Sequence, residues 1–264
     1  MHDLYINIDN LNFKFEKNSI LKDISFQVFK GQTLAIVGAS GCGKSTLLRI
    51  LSGILPNADS NSLQGDISID SLTPDQYRQT GKLAFMFQEA TLMPHLTVKQ
   101  NVELPLKIKG NVNKQKTTNL IKAVGLEEYS NYLPKELSGG MKTRVALARS
   151  FSTNPELLLL DEPFSALDIA WKSKLYVELE KLKEETDTTV VVVTHDVQEA
   201  LLLANHIIVI NRFGGIEIQK EIKSDYSIMQ RVNNISGYMN SVYESYMLPI
   251  QDAILKGQNN KNEK

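Results

Sequence analysis

The sequence lacks the features that would tie it to a bilayer span, a disulfide framework or the secretory route. It has one cysteine, Cys42, in 264 residues, which excludes an intrachain disulfide and favours a reducing compartment. It has no run of about 20 apolar residues, so we do not expect the chain to span a membrane by itself. The segment from Met1 to Asn10 has neither the basic start nor the apolar centre of a secretory signal.

An excess of positive charge is also missing. The formal net charge is −1 at pH 7, whereas proteins that bind nucleic-acid duplexes usually carry a basic excess. The hydrophobic content of 42% is ordinary for a globular protein, and the length fits one large domain with room for an insertion. We therefore expect a globular chain with no nucleic-acid partner.

Two hydrophobic patterns indicate the fold. Apolar residues alternate with polar ones over Leu4–Phe15 and Ile24–Val28, which predicts an antiparallel hairpin at the edge of the structure. The continuous apolar runs at Thr33–Val37, Leu157–Leu160 and Val190–Val193 are typical of strands buried on both faces. A polar loop and a helix-like stretch follow each run, so we expect an α/β protein with a mostly parallel sheet.

Helical spacing replaces the strand pattern in the middle of the chain. The clearest helices there are expected at Asn113–Val124 and Ser138–Phe151. The pattern weakens after Asp225, and the polar segment Gly257–Lys264 is expected to be disordered. The predicted organisation is a core over residues 1–89 and 156–224, a helical insertion over about 90–155, and a helical extension with a polar tail over 225–264.

A glycine-rich segment between the run Thr33–Val37 and an expected helix, Thr46–Leu51, has the chemistry of a phosphate-binding loop. A glycine, four residues and then Gly-Lys-Ser allow successive backbone N–H groups to cradle an anion at a helix start. Lys44 is expected to bridge the β- and γ-phosphates, and Ser45 to ligate Mg²⁺. The alternatives are a chance glycine-rich turn or a loop that binds some other anion, and the flanking strand and helix disfavour both. The predicted ATP-binding residues of this segment are Gly38, Ala39, Ser40, Gly41, Cys42, Gly43, Lys44, Ser45 and Thr46.

Two further segments support a nucleotide site. Asp161 and Glu162 stand at the exit of a buried strand, where Asp161 can hold Mg²⁺ through water and Glu162 can deprotonate the attacking water. By itself such an acid pair is about as often a helix cap, and the phosphate loop favours the catalytic interpretation. Ser138, Gly139 and Gly140 precede a helix, and taken alone they predict only a helix start with Ser138 as its N-cap.

Together these segments closely resemble the ATP-binding cassette family. The resemblance extends over about Asn7 to Arg212. Its motifs, in chain order, are the phosphate loop, Gln88, the signature Leu137–Met141, Asp161-Glu162, Ser165–Asp168 and His195. It implies a P-loop ATPase that uses ATP and Mg²⁺. It also implies a head-to-tail pair of chains, in which the Ser138-Gly139-Gly140 segment of one copy closes over the γ-phosphate held by the other.

The resemblance gives roles to residues that would otherwise be unremarkable. It implies that Phe15 stacks on adenine, although an aromatic there would more often be a strand core residue. Gln88 is expected to join Ser45 and Asp161 around Mg²⁺ and to reach the attacking water. Asp168 is expected at the dimer seam, and His195 at the γ-phosphate as a catalytic residue beside Glu162 and Gln88.

One position departs from the family pattern. Met141 stands where the family usually has glutamine. The resemblance assigns the phosphate contacts to Ser138 and to the glycine backbone, so activity is expected to survive this change.

Four roles compete within the family: transporter motor, DNA-maintenance ATPase, translation factor and non-catalytic nucleotide sensor. DNA-repair relatives carry long coiled coils, but Gly65–Ser138 has no sustained heptads. Translation-type relatives carry two cassettes in one chain, and this sequence has one. A sensor is expected to lose Glu162 or His195, and both are present. The transporter motor is therefore favoured.

The transporter interpretation implies partners and a place in the cell. We expect a second ATPase copy, transmembrane permease subunits and an extracytoplasmic substrate-binding protein, with this chain on the cytoplasmic face of the inner membrane. The resemblance is strongest to bacterial importers of nitrate, sulfonate, taurine or thiamine precursors; the alternative is an exporter or lipoprotein-release motor, or a non-transport ATPase. Four apolar residues are expected either to line a groove for a permease helix or to pack within the helical insertion: Leu92, Met93, Leu96 and Val98.

Overall fold

The computed structural model describes residues 3–16, 18–55, 62–224 and 226–259, which form two sheets and the helices around them. The strands are β1 (Leu4–Phe15), β2 (Asn18–Phe29), β3 (Thr33–Gly38), β4 (Leu63–Ile69), β5 (Leu83–Met86), β6 (Leu157–Asp161), β7 (Thr189–Thr194), β8 (His206–Ile210) and β9 (Ile216–Glu221). The α-helices are α1 (Lys44–Leu51), α2 (Pro74–Gln79), α3 (Val98–Ile108), α4 (Lys114–Ala123), α5 (Gly139–Phe151), α6 (Ile169–Thr186), α7 (Val197–Leu203), α8 (Ile228–Asn233), α9 (Ile235–Val242) and α10 (Leu248–Asn259).

The larger sheet has six strands in the order β5–β6–β7–β3–β8–β9. All neighbouring strands from β5 to β8 are parallel, and only β9 pairs antiparallel, with β8. The three predicted buried runs are β3, β6 and β7, and every residue of these strands is buried. The expected α/β fold with a mostly parallel sheet is therefore confirmed.

The smaller sheet is antiparallel and has three strands in the order β2–β1–β4. The sequence pattern predicted a hairpin at the edge of the structure, but β1 is the central strand because β4 pairs with its other side. Strand β4 was not predicted, since its segment is half exposed and shows little alternation. The register of β1 shifts near Asn10, which has a left-handed backbone with φ 51°.

The six-stranded sheet carries a hydrophobic core on each face, because successive side chains of a strand point to opposite sides. Leu34 and Ile36 of β3 face the core that holds α1 and the antiparallel sheet. Ala35 and Val37 face the larger core, which holds α3 to α7 and the C-terminal helices. The strand that leads into the phosphate loop is thus fixed from both sides.

Between β5 and β6 the described chain contains three α-helices (α3, α4 and α5), two short 3-10 helices (Glu127–Tyr129 and Pro134–Glu136) and no strand. The two predicted helices correspond to α4 and α5, with Asn113 and Ser138 as their N-caps. Helix α3 was missed, although Thr97 and Gln100 form a capping box at its start. The interruption by Pro105 explains the weak helical pattern in this stretch.

The C-terminal helices pack on the core. Ile228, Tyr238, Met247 and Ile250 are buried in the larger cluster, and a π-helical turn, Tyr243–Met247, joins α9 to α10. The prediction of disorder from Gly257 was wrong for the first residues of that segment, because α10 continues through Gly257 to Asn259. The remaining residues, 260–264, lie outside the described residues. Among the described residues, no helix has both the length and the apolar character that a membrane crossing needs.

Candidate functional site

The carboxyl ends of the parallel strands bring most of the predicted site to one edge of the six-stranded sheet. Neighbouring strands β5, β6, β7 and β3 all run in the same direction, so the segments that follow them emerge side by side. These segments carry Gln88 after β5, Asp161 and Glu162 at the end of β6, His195 after β7, and the phosphate loop after β3. Such an edge is where open α/β sheets bind their ligands.

The phosphate loop curls around the ammonium group of Lys44. This side chain is only 5% exposed, and its Nζ donates hydrogen bonds to the carbonyl oxygens of Gly38 (2.8 Å) and Ala39 (2.9 Å). Gly43, just before α1, has φ 103°, and a Cβ there would lie 2.8 Å from Cδ2 of Leu21. The loop therefore needs glycine at 43, and it holds a buried cation at the start of a helix, where an anion is favoured.

Ser45 and Asp161 meet directly beside the loop. The Ser45 hydroxyl donates a hydrogen bond of 3.0 Å to Oδ1 of Asp161, which is 3% exposed. Burial raises the pKa of the Asp161 carboxyl above its usual value, and the hydrogen bond from Ser45 opposes this shift. A hydroxyl and a buried carboxylate are hard oxygen donors, so these residues fit Mg²⁺.

Glu162 is the point where three predicted catalytic residues converge. Nε2 of Gln88 donates a hydrogen bond of 3.3 Å to Oε2 of Glu162, and Nδ1 of His195 lies 3.3 Å from the same oxygen. The Glu162 side chain is 17% exposed and the His195 side chain 60% exposed, so the carboxylate is reachable at the open edge of the sheet. This arrangement can hold and deprotonate a water molecule, which is the chemistry of a general base.

The backbone around Glu162 is held in an unusual conformation. Glu162 has φ 47°, a left-handed geometry that costs on the order of 1 kcal/mol in a residue with a side chain. Its N–H still donates to the Val193 carbonyl (2.9 Å), and its own carbonyl accepts from the Ser165 hydroxyl (3.0 Å). The turn that follows β6 therefore aims the carboxylate while remaining tied to β7.

His195 is positioned by the start of α7. Asp196 caps this helix by accepting hydrogen bonds from the backbone N–H groups of Gln198 (2.9 Å) and Glu199 (3.3 Å). Its own N–H donates to the Thr194 hydroxyl at the end of β7 (3.0 Å). His195 lies between these two anchored residues, which limits where its ring can point.

Sequence reasoning missed the residues that hold the loop after Gln88. Arg149 of α5 donates to the carbonyls of Ala90 (3.2 Å) and Thr91 (3.0 Å). Asn101 is fully buried in α3 and bonds both the N–H and the carbonyl of Met93. Nothing in the spacing of these two residues marked them, because their partners are backbone groups of a loop.

The predicted signature residues lie at the start of α5. Ser138 caps α5 by accepting a hydrogen bond of 3.2 Å from the N–H of Met141, and Gly139 has open space around it. A Cβ on Gly140 would lie 3.2 Å from the Ala166 carbonyl oxygen. Within the described part of the chain, no hydrogen bond or ion pair joins Ser138, Gly139 or Gly140 to the phosphate loop. The side chain of Met141 packs against the larger core.

Three other predicted residues have distinct settings. Phe15, at the end of β1, is 60% exposed. Asp168 caps α6 by accepting a hydrogen bond of 3.0 Å from the N–H of Trp171. Of the two alternatives for Val98, the surface groove was wrong and packing within the insertion was correct: Val98 is 1% exposed at the start of α3, where the apolar repeat of that helix faces the core.

Glu199 is a buried carboxylate on α7, four residues after His195. Its Oε2 accepts a hydrogen bond of 3.4 Å from the Tyr176 hydroxyl and lies 3.7 Å from Nζ of Lys172, both on α6. Burial raises the pKa of Glu199 to about 7, and the charge of Lys172 opposes this shift. The carboxyl thus links α6, which follows Asp168, to α7, which follows His195.

Glu199→Gln is expected to change how stability depends on pH. A folded-state pKa above the unfolded value means that the native state binds more protons between these two values, so stability falls as pH rises toward 7. By pH 8 the loss is on the order of 3 kcal/mol, and the uncharged glutamine removes it.

The measurement is urea unfolding of the wild type, Glu199→Gln and the control Glu184→Gln, which changes an exposed carboxylate on α6. At pH 5 the three should differ little, and at pH 8 only Glu199→Gln should be more stable than the wild type. If Glu199→Gln is instead less stable at pH 8, the attraction to Lys172 outweighs the cost of burying the charge.

Comparisons with known proteins agree with this geometry. Residues 21–165 match the family described as ABC transporter. The chain is 39% identical over 228 residues to the aliphatic sulfonates import ATP-binding protein SsuB of Bacillus thuringiensis subsp. konkukian, covering 84% of this chain and 87% of that protein. It is 38% identical over 229 residues to the nitrate import ATP-binding protein NrtD of a Synechocystis strain, covering 83% and 82%.

A solved structure has the same fold. It is a dimer of the ATP-binding cassette MJ0796 in a post-hydrolysis state, bound to ADP and phosphate. The TM-score is 0.73 at 32% sequence identity, covering 83% of this chain and 99% of that one. The sheet, the phosphate loop and the acids beside it define a P-loop ATPase that binds and hydrolyses ATP. The chain belongs to the ABC transporter family.

Proposed function

We propose that this chain is the ATPase subunit of a membrane importer and that it works as a head-to-tail pair. The observation that carries the proposal is the division of the site into two groups. The phosphate loop and the residues around Glu162 lie at the sheet edge, whereas Ser138 and Asp168 lie at the starts of α5 and α6. A second copy in the opposite orientation would bring its Ser138 to the γ-phosphate of the first. The dimeric structure of a related cassette supports this arrangement.

Within each half, the residues divide the chemistry of ATP hydrolysis. The backbone N–H groups from Gly38 to Ser45 and the ammonium of Lys44 hold the phosphates, and exposed Phe15 packs on the adenine ring. Ser45, Asp161 and Gln88 would hold Mg²⁺, which neutralises phosphate charge when bound. Glu162 takes the proton from the attacking water, while Gln88 and His195 orient that water. Closing of the pair on ATP and its opening after hydrolysis would drive the transporter.

The proposed ATPase domain spans residues 1–224 and includes the helical insertion, about 90–155; residues 225–264 form an extension. A permease segment is proposed to dock on the helical insertion. A cleft of about 270 Å³ separates β5, the edge strand of the six-stranded sheet, from α3 and α5. Ile108 at its rim is 79% exposed, which is unusual for a large apolar side chain. We call this surface the edge cleft; its lining includes Leu83, Phe85, Pro105, Ile108, Ala146 and Arg149.

The edge cleft is connected to the group around Glu162 through the loop that follows β5. Gln88 follows β5 directly and reaches Glu162, and Arg149 lines the cleft while holding the loop after Gln88. A helix that enters the cleft would therefore press on the segment that carries Gln88. This gives a short mechanical route from the docking surface to the catalytic carboxylate.

Import of a small solute is the direction that the relatives support. The named relatives are import proteins for aliphatic sulfonates and for nitrate, and they match this chain over most of their length. We propose an oxyanion such as a sulfonate, taurine or nitrate as cargo, or a thiamine precursor, delivered by an extracytoplasmic binding protein. The chain itself would sit on the cytoplasmic face of the membrane, held there by the permease.

The experiment is to tag this chain in its own host, extract membranes in mild detergent and identify what co-purifies. A polytopic permease in stoichiometric amount is the expected result, and its binding protein can then be tested with sulfonates, taurine, nitrate and thiamine precursors. Recovery with DNA-processing or ribosomal proteins instead would overturn the transport role. If the chain is recovered with a permease that exports its solute, the proposed import is wrong.

A matched pair of variants tests the docking surface in the same preparation. Ile108→Asp is expected to lose the permease while keeping the basal ATPase rate, because it puts a charge into an apolar contact. Leu255→Asp changes another exposed apolar residue, on α10 and 52% exposed, and should keep both. If Ile108→Asp retains the permease, the edge cleft is not the docking site.

A further inference from the structure

Trp171, the one tryptophan of the chain, lies in the first turn of α6, three residues after Asp168. The guanidinium carbon of Arg144 lies 3.7 Å from the centre of its ring, and Nζ of Lys174 lies 4.8 Å from the ring centre. Arg144 belongs to α5, the helix that begins with the signature, and is 7% exposed. This stacking therefore joins the helix after the signature to the helix after Asp168.

Arg144 also fixes the end of α4. Its Nη1 donates hydrogen bonds to the carbonyl oxygens of Val124 (2.9 Å) and Gly125 (3.3 Å). A Cβ on Gly125 would lie 2.3 Å from Cη2 of Trp171, and Gly125 has φ 64°. The edge of the indole ring thus rests on glycine backbone, with no room for any other residue there. We call Arg144, Trp171 and Gly125 the signature clamp.

A second contact joins the same two segments closer to the proposed dimer surface. A Cβ on Gly140 would lie 3.2 Å from the Ala166 carbonyl oxygen and 3.3 Å from Cδ2 of Leu167. The backbone of the signature at Gly140 is therefore packed closely against the segment Ser165–Asp168. The side chain of Asp168 accepts a hydrogen bond from the N–H of Trp171, which ties that segment to the signature clamp.

We propose that Arg144 and Trp171 are positioning residues that hold the signature segment, Ser138–Gly140, and the segment Ser165–Asp168 as one body. This body is the surface that each copy presents to the ATP of the other, so the inference rests on the proposed head-to-tail pair. Neither Arg144 nor Trp171 belongs to the phosphate loop or to the group around Glu162. They act through the segments they hold, by fixing the distance and angle between the starts of α5 and α6.

The chemistry of the pair suits this task. A guanidinium group can stack on an aromatic face with its plane while donating hydrogen bonds along its edges, and a lysine cannot do both. A cation–π contact is stronger where the cation is shielded from water, and Arg144 is buried. Because Arg144 is buried, loss of the indole ring would also leave its positive charge with fewer contacts to offset the cost of burial.

The test measures pairing and nucleotide binding separately. In a Glu162→Gln background, which blocks hydrolysis, we would compare Trp171→Ala and Arg144→Lys with the parent. The dissociation constant of the ATP-bound dimer, from size-exclusion chromatography with light scattering, should rise by about tenfold or more in both variants. ATP affinity of the separated chain should change by less than about twofold, because the phosphate loop is untouched.

Two controls separate positioning from general destabilisation. Trp171→Phe keeps an aromatic face for Arg144 and should restore most of the pairing. Leu179→Ala removes a buried side chain two turns further along α6, so it should lower the melting temperature without weakening the dimer. Pairing at the parent's affinity in Trp171→Ala and Arg144→Lys would overturn the inference, as would equal weakening in Leu179→Ala. If the parent itself fails to dimerise with ATP, the head-to-tail proposal is wrong, and this inference falls with it.

Discussion

Glu162→Gln is expected to slow ATP hydrolysis by about 10²–10⁴-fold, the usual contribution of a general base. Glutamine has nearly the same shape but cannot take a proton from water at neutral pH. The contacts from Gln88 and His195, both 3.3 Å from the present carboxylate oxygen, leave the geometry of the site largely in place. ATP should therefore still bind, and the ATP-bound pair should accumulate because it can no longer turn over.

The rate is measured by phosphate release, and the dimer by light scattering with and without ATP. Glu89→Gln is the matched control, since it makes the same change on an exposed carboxylate close to Gln88 and should leave basal hydrolysis intact. A Glu162→Gln variant that hydrolyses ATP at the normal rate would remove this residue from the role of base. A variant that is inactive but stays monomeric with ATP would count against the proposed pair.

Lys44→Ala is expected to weaken ATP binding by at least about tenfold and to bring hydrolysis to background. The ammonium group is buried in the phosphate loop and is positioned by the Gly38 and Ala39 carbonyls, so its charge-assisted bonds to phosphate oxygens have no substitute. The loss should be larger for ATP than for AMP, because Lys44 is assigned to the β- and γ-phosphates.

Titration with a fluorescent ATP analogue measures the affinity. Lys30→Ala serves as control, because it removes a half-exposed lysine whose ion pair with Asp187 lies at the surface. Unchanged nucleotide affinity in Lys44→Ala would show that the loop does not hold the phosphates as assigned.

Much of the fold could be predicted because its central strands are buried on both faces. The continuous apolar runs of β6 and β7 are unambiguous, and two of the main helices have clear N-caps in Asn113 and Ser138. Strand β5 was missed because it has only four residues and lies at the sheet edge, partly exposed. Strand β8 was missed although it is buried, because its short apolar run directly follows that of α7.

The functional site also has parts that the sequence reveals and parts that it does not. The phosphate loop and the Asp161–Glu162 pair are contiguous, so their chemistry is visible in the sequence alone. Gln88 and His195 gain a role only through the family resemblance, and the structure brings both to the same oxygen of Glu162. The hold of Arg149 on the Gln88 loop is tertiary, and no spacing along the chain reveals it.

The central claim is that each ATP site needs residues from two copies of this chain, and mixing two inactive variants tests it most directly. Lys44→Ala disables the phosphate loop, and Ser138→Arg fills the space at the signature with a bulky side chain. Each alone should be nearly inactive, but a mixed pair contains one site with both an intact loop and an intact signature. With random pairing we expect the mixture to recover about a quarter of the wild-type rate. A mixture no more active than the sum of its two components would contradict the shared site.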